Sequence, residues 1–142
     1  MARADDYLEY FRRVPMFSTC SKKDLKTVAA NAERVAVPAG RILCEQGQTG
    51  REAFVIVDGK ARVVRNGRKV AIIGPGTTFG ELSLLDRAPR NATVLADTDM
   101  ELLVLGQREF MKIVDASPAF ARALLAGVAR RINEAEATKK PA

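Results

Sequence analysis

The chain has 142 residues, a net charge of +6 and no histidine. Because Ser-His-Asp triads, Cys-His dyads and most zinc hydrolase sites depend on imidazole, this composition excludes most familiar hydrolytic enzymes. The length predicts a single domain covering residues 1–142. No apolar run approaches the roughly 20 residues of a membrane helix and no signal peptide is evident, so we expect a cytoplasmic protein without membrane insertion.

The charge and the cysteines add two expectations. A positive balance favours anionic partners, although the basic residues are scattered along the chain, as on ordinary solvated surfaces. Cys20 and Cys44 form neither a CxxC pair nor a disulfide framework, so they are expected to be free core thiols. We expect no metal site and no cofactor.

Two N-terminal helices are predicted within about residues 5–32. Apolar residues recur at helical spacing before Pro15, and Ser21 followed three residues later by Asp24 predicts the capped start of a second helix. The predicted buried positions are Tyr7, Leu8, Phe11 and Val14 in the first helix and Leu25, Val28, Ala29 and Ala32 in the second.

Residues 35–105 carry short β-rich runs separated by turn residues, a pattern typical of a sandwich or closed roll. The predicted strands are residues 35–37, 41–44, 53–57, 61–65, 69–73, 92–95 and 100–105. Asp58-Gly59 and Asn66-Gly67 predict hairpin turns, because both central positions of a type I′ turn need positive φ. The predicted fold is mainly β, an antiparallel β-roll or jelly-roll barrel with helices on both sides in sequence.

Helical periodicity returns within about residues 107–137. Ser117 followed by Pro118 predicts a capped start for the last helix. The predicted apolar face of that helix consists of Phe120, Ala123, Leu124, Gly127, Val128, Ile132 and Ala135. This face must pack on the barrel, a ligand or another subunit.

Residues 79–94 interrupt the strand pattern with a glycine, a short helical stretch and a charged loop, which together suggest a binding loop. A helix beginning at Gly80 would direct unpaired amides at an anion. Arg90 offers a planar donor fork that matches two phosphate oxygens. Glu81 can accept hydrogen bonds from a sugar hydroxyl or pair with Arg90.

This segment resembles the phosphate-binding cassette of the cyclic-nucleotide-binding domain family, which includes protein kinase A regulatory subunits, the catabolite activator protein and nucleotide-gated channels. A second stretch, residues 43–50 followed by 54–59, is similar to another signature of the family. The flanking helices agree in number and order, so the resemblance spans nearly the whole chain.

The resemblance implies that Arg90 binds the cyclic phosphate and that Glu81 accepts the ribose 2′-hydroxyl. The other phosphate contacts that it implies are the backbone amides of Ser83, Asn91 and Ala92, with close backbone approach at Gly80.

The resemblance also implies how the purine is enclosed. Leu82 and an apolar residue of the meander, Val63 or Ile72, would wall the base. Arg131 of the C-terminal helix would stack over it as a lid, with a solvated helix face as the alternative for this residue. Asn91 stands where the family usually has Ser, Thr, Ala or Gln, and a Thr there often accompanies a preference for cGMP. This position therefore leaves cGMP open as the alternative to cAMP, which is the favoured ligand.

The expected function is a stand-alone module that binds cAMP, performs no chemistry on it and relays binding through movement of the C-terminal helix to a protein partner or a second copy. A DNA-binding regulator would need a recognition helix after that helix, so no nucleic acid is expected. A cyclic phosphodiesterase would need a metal cluster or a general base beside the phosphate. A degenerate fold serving as an interaction or dimerisation module is the remaining alternative.

Overall fold

The computed structural model describes residues 7–139, without the side chains of Pro15, Leu82, Arg131, Ala135 and residues 137–139. These residues form two compact units. One is Asn31–Phe110, and the other combines the described parts of the N-terminal and C-terminal segments. The single domain expected from the length stays a prediction.

The first unit contains two four-stranded sheets in which every paired strand is antiparallel. One sheet has the order β1 (Glu33–Val37), β8 (Met100–Gly106), β3 (Glu52–Asp58) and β6 (Thr78–Phe79). The other has the order β2 (Ile42–Cys44), β7 (Thr93–Ala96), β4 (Ala61–Arg65) and β5 (Arg68–Ile73).

Both sheets contribute to one buried apolar cluster, because alternate side chains along each strand point to the same face. Its members are Val37, Cys44, Phe54, Ile56, Ala61, Val94, Ala96, Met100 and Leu102. Phe79 packs on this cluster and stacks on Phe54, with ring centroids 4.8 Å apart. The predicted mainly β roll is therefore confirmed. The short strand β6 lies outside the predicted strands.

Only one of the two predicted hairpins is present. Asn66 and Gly67 have φ of 52° and 78° and join the paired strands β4 and β5, as predicted. The prediction for Asp58-Gly59 is wrong, because β3 pairs with β6 and β8 whereas β4 pairs with β5 and β7. Only Gly59 has positive φ there, and the turn carries the chain from one sheet to the other.

The helical unit contains α1 (Leu8–Arg12), a 3₁₀ turn (Pro15–Phe17), α2 (Lys22–Ala30) and α4 (Pro118–Lys139), while α3 (Gln107–Ala116) begins in the first unit and ends in this one. Both predicted caps are present. The Asp24 amide donates to Ser21 Oγ at 3.1 Å, and the Phe120 amide donates to Ser117 Oγ at 3.2 Å.

Phe17 packs between the rings of Phe11 and Phe120, with centroid distances of 6.2 and 6.4 Å. The predicted apolar face of α4 is buried at Phe120, Leu124 and Gly127, but Ile132 is 56% exposed, so the prediction is wrong for that turn. Ala32 lies beyond the end of α2. Among the described residues, no helix combines the length and apolar character needed to span a membrane.

Candidate functional site

The binding loop predicted at residues 79–94 connects β6 to β7. Gly80, with φ of 75°, leads into a single 3₁₀ turn, Glu81–Leu84. The Ser83 amide closes this turn by donating to the Gly80 carbonyl at 3.0 Å. The helix predicted to begin at Gly80 is therefore only one turn long, and the Ser83 amide is engaged within it.

The backbone of Arg90 is held by the loop that precedes β3. The Arg90 amide donates to the Gln48 carbonyl at 2.8 Å, and the Gly47 amide donates to the Arg90 carbonyl at 2.9 Å. Thr49 and Pro89 form an isolated antiparallel bridge beside these bonds. Both predicted signatures, residues 43–50 and 79–94, thus meet at Arg90.

The guanidinium of Arg90 has one satisfied and one unsatisfied end. Nη2 donates to the Glu52 carbonyl at 2.8 Å, whereas Nη1 is buried without a hydrogen-bond partner among the described residues. Leaving a buried donor unpaired costs about 1–3 kcal/mol, and more for a charged group. An acceptor bound at Nη1 would remove that cost, which makes this atom the natural place for an anion.

Two glycines allow the guanidinium to lie directly on the backbone. A Cβ at Gly50 would stand 2.0 Å from Nε of Arg90, and a Cβ at Gly80 would stand 2.3 Å from Nη1. Any side chain at either position would collide with the guanidinium. Gly80 was predicted to permit close approach to a ligand, whereas the role of Gly50 was missed. Its position inside the 43–50 signature was the available signal.

Arg90 borders an open pocket of about 400 Å³, lined otherwise by residues 42–45 and 48–52. Cys44 is a free buried thiol in this lining. Burial raises the pKa of the Cys44 thiol above its ordinary value. The nearby charges have smaller effects, since Arg90 lowers this pKa and Glu52 raises it. The thiol is therefore protonated at neutral pH and serves as a small wall residue, as expected for a core cysteine.

The other predicted polar contacts differ in their availability to a ligand. Glu81 is buried in the 3₁₀ turn, with 9% of its surface exposed. The Ser83 carbonyl accepts a hydrogen bond from Gln107 Nε2 at 3.2 Å. The amides of Asn91 and Ala92 donate no hydrogen bond within the described part of the chain. These two amides are thus available to a ligand, and the Ser83 amide is not.

Strand register separates the two candidates for the purine wall. Val63 lies opposite Ala71 and Val94 and packs on the buried cluster of the roll. Ile72 lies opposite Arg62 on the other face of the sheet and is 41% exposed. The structure thus places Val63 on the interior face, with Ala71 beside it, and Ile72 on the exterior.

Leu82 and Arg131 cannot be placed as side chains. Leu82 belongs to the 3₁₀ turn and Arg131 to α4, but both side chains lie outside the described residues. Their predicted contacts stay predictions.

Comparison with known proteins shows the family to which this chain belongs. A model described as the cyclic nucleotide-binding domain matches residues 34–117. The cyclic AMP receptor protein of Thermus thermophilus is 32% identical over 127 residues, which cover 86% of this chain and 59% of that protein. Relatives also include a protein kinase regulatory subunit and a nucleotide-gated channel, of which the chain covers 26% and 31%.

Solved structures agree with the sequence matches. The N-terminal domain of a transcriptional regulator from Streptomyces coelicolor has a TM-score of 0.82 at 32% identity, with 94% of this chain and 96% of that one covered. The regulatory domain of Toxoplasma gondii protein kinase A, solved with cAMP, has a TM-score of 0.69 at 32% identity, covering 77% and 44%. With the family model matching more than half of its length, this chain belongs to the cyclic nucleotide-binding domain family.

Proposed function

We propose that this chain binds a 3′,5′-cyclic purine nucleotide, cAMP in preference to cGMP, and performs no chemistry on it. The observation that carries the proposal is the buried Nη1 of Arg90, which has no partner among the described residues. A cyclic phosphate supplies the anionic acceptor that this donor lacks.

Different groups of the site bind the phosphate, the ribose and the base of the ligand. Glu52 holds Nη2 of Arg90, so Nη1 is free for one phosphate oxygen. The amides of Asn91 and Ala92 are available to the other oxygen, and the carboxylate of Glu81 accepts the ribose 2′-hydroxyl. Val63 on the interior face walls the base. No cofactor is needed for binding of this kind.

The preference for cAMP is supported by two comparisons. The Thermus relative is named a cyclic AMP receptor, and the Toxoplasma domain was solved with cAMP. Domains of this family bind their ligands as regulatory modules, which supports a sensing role without catalysis. We further propose a cytoplasmic location, with no nucleic acid as partner.

The output is proposed to be movement of α4, read by a protein partner or a second copy of the chain. This step rests on the family resemblance. The chain spans 59% or less of the length of the curated relatives just described, so the activity of the whole protein is part of the same proposal.

Calorimetric titration with cAMP, cGMP and 5′-AMP tests the proposal. We expect saturable 1:1 binding, tightest for cAMP and weakest for 5′-AMP, and no AMP released from cAMP during long incubation. Absence of heat with both cyclic nucleotides would contradict the proposal and favour a degenerate interaction module, and release of AMP would contradict the absence of chemistry.

Glu81→Gln should weaken cAMP binding by about 1.5–3 kcal/mol, because a charged acceptor is replaced by a neutral one of the same shape. The difference between the two proteins should shrink when the ligand is 2′-deoxy-cAMP, which lacks the hydroxyl. Titration of both proteins with both ligands measures the coupling. Equal discrimination between ribo and deoxy ligands in both proteins would remove Glu81 from the ribose.

Arg131→Ala should cost about 0.5–2 kcal/mol if its guanidinium stacks on adenine. A lid acts after the phosphate has docked, so the loss should show as faster dissociation with little change in association. Stopped-flow release of a fluorescent cAMP analogue measures this, with the neighbouring Arg130→Ala as the control. Release rates equal to wild type would mean that Arg131 is a surface residue.

A further inference from the structure

A side chain at the tip of the β4–β5 hairpin donates a hydrogen bond to the backbone of the binding loop. Arg65 Nε donates to the Asn91 carbonyl at 3.1 Å. Two more hydrogen bonds join Gln46 to Asn66. Gln46 Nε2 donates to Asn66 Oδ1 at 2.8 Å, and the backbone N–H of Asn66 donates to Gln46 Oε1 at 2.9 Å. The hairpin tip therefore joins the loop before β3 to the segment that leads into β7.

Gln46 also contacts the start of β7. Its backbone N–H donates to Oγ1 of Thr93, the first residue of that strand, at 2.9 Å. Gln46 is thus bonded both to the hairpin tip and to the strand that follows Ala92. The type I′ turn fixes the backbone of the hairpin tip that makes these hydrogen bonds, because Asn66 takes the positive φ that this turn requires.

These contacts bear on the two free amides of the site through the geometry of the peptide bond. In a planar trans peptide, the carbonyl and the N–H of the same unit point in opposite directions. Arg65 holds the Asn91 carbonyl, which turns the Ala92 N–H away from the hairpin tip. Gly47 holds the Arg90 carbonyl, which turns the Asn91 N–H away from the loop before β3.

We propose that Arg65 is a positioning residue for the phosphate site: it fixes the orientation of the Ala92 amide from behind, while Gln46 and Asn66 hold the hairpin tip in place. The choice of ligand rests on the proposed function, but the orientation of the amide does not. Arg65 itself is exposed, so its hydrogen bond adds little to the free energy of unfolding. Its effect falls on ligand binding, which needs the amide already aimed.

The test compares Arg65→Met with Arg68→Met. Arg68 faces Arg65 across the turn, is also exposed, and makes no side-chain hydrogen bond or ion pair among the residues that the structure describes. Both changes remove one positive charge from the same hairpin tip. We expect cAMP binding to weaken about three- to tenfold in Arg65→Met, the equivalent of one hydrogen bond, and less than twofold in Arg68→Met.

Two readouts separate positioning from a general loss of charge or stability. The two phosphorothioate diastereomers of cAMP carry sulfur at one or the other exocyclic oxygen, and the ratio of their affinities should change in Arg65→Met but not in Arg68→Met. In the ligand-free protein, ¹⁵N relaxation should show greater mobility of the Asn91 and Ala92 amides in Arg65→Met alone.

Equal mobility of these amides in the two variants would overturn the inference, whether or not the chain binds cAMP. An unchanged diastereomer ratio in a wild type and variant that both bind would also overturn it. If wild type binds no cyclic nucleotide while the amides loosen as expected, the proposed function fails and the positioning role of Arg65 stands.

Discussion

Arg90→Ala is expected to weaken cAMP binding by about 2–5 kcal/mol, roughly thirty-fold to several thousand-fold in Kd. The variant loses a buried side-chain donor that has no partner in the described structure, and with it the charge that would face the phosphate. Binding should depend less on the phosphate, so that the difference in affinity between cAMP and adenosine should be smaller in Arg90→Ala than in wild type.

The ligand-free Arg90→Ala protein should remain folded. The substitution leaves the Glu52 carbonyl without its donor, which lowers the free energy of unfolding. It also removes the unsatisfied buried nitrogen, which raises that free energy by a similar amount, so the two effects offset each other. Arg87→Ala, an exposed arginine of the same loop, is the matched control and should bind like wild type. Calorimetry and urea unfolding of the three proteins measure both effects. Binding of Arg90→Ala within about twofold of wild type would remove Arg90 from the site.

Gly50→Ala should weaken cAMP binding by about 2–4 kcal/mol through its effect on Arg90. The added methyl would stand 2.0 Å from Nε and 2.1 Å from Cζ of Arg90, so the guanidinium must leave its place. The displaced atoms belong to the end of a flexible side chain, and Gly50 has no positive φ, so the free energy of unfolding should change little.

A double-mutant cycle distinguishes this mechanism from a direct contact. Because Gly50→Ala acts through Arg90, it should cost little when Arg90 is already alanine. Gly74→Ala is the control, since its added Cβ would meet no atom within 4 Å and its φ is ordinary. Full additivity of the Gly50 and Arg90 changes would show that residue 50 affects binding by another route.

Local patterns were sufficient to predict most of the elements of this chain, but not the short strand β6 and not all of the pairings. The Asn66-Gly67 turn was predictable because two adjacent strands and two residues determine it. Asp58-Gly59 has the same composition, yet β3 pairs with β8, more than 40 residues later in the chain. The choice of sheet depends on which distant strands bury their apolar faces together, and a two-residue turn carries no information on it.

The site divides in the same way. Arg90, Glu81 and Gly80 lie within one continuous segment, so a motif could identify them together. Gly50 acts on Arg90 across 40 positions of sequence, and only the fold brings its backbone against the guanidinium. Val63 and Ile72 were equivalent as apolar strand residues. The register of β4 and β5 then placed them on opposite faces.

An NMR titration of ¹⁵N-labelled protein with cAMP tests whether Arg90 and the amides that follow it hold a cyclic phosphate. We expect saturable shifts of the Arg90 side-chain resonances and of the Asn91 and Ala92 backbone amides, all with one Kd, and slowed exchange of the Arg90 guanidinium protons. At the same ligand concentrations, the shifts of the Asn91 and Ala92 amides should be much smaller in Arg90→Ala and retained in Arg87→Ala. Saturable binding of cAMP that leaves the Arg90, Asn91 and Ala92 resonances unmoved, or no binding at all, would contradict it.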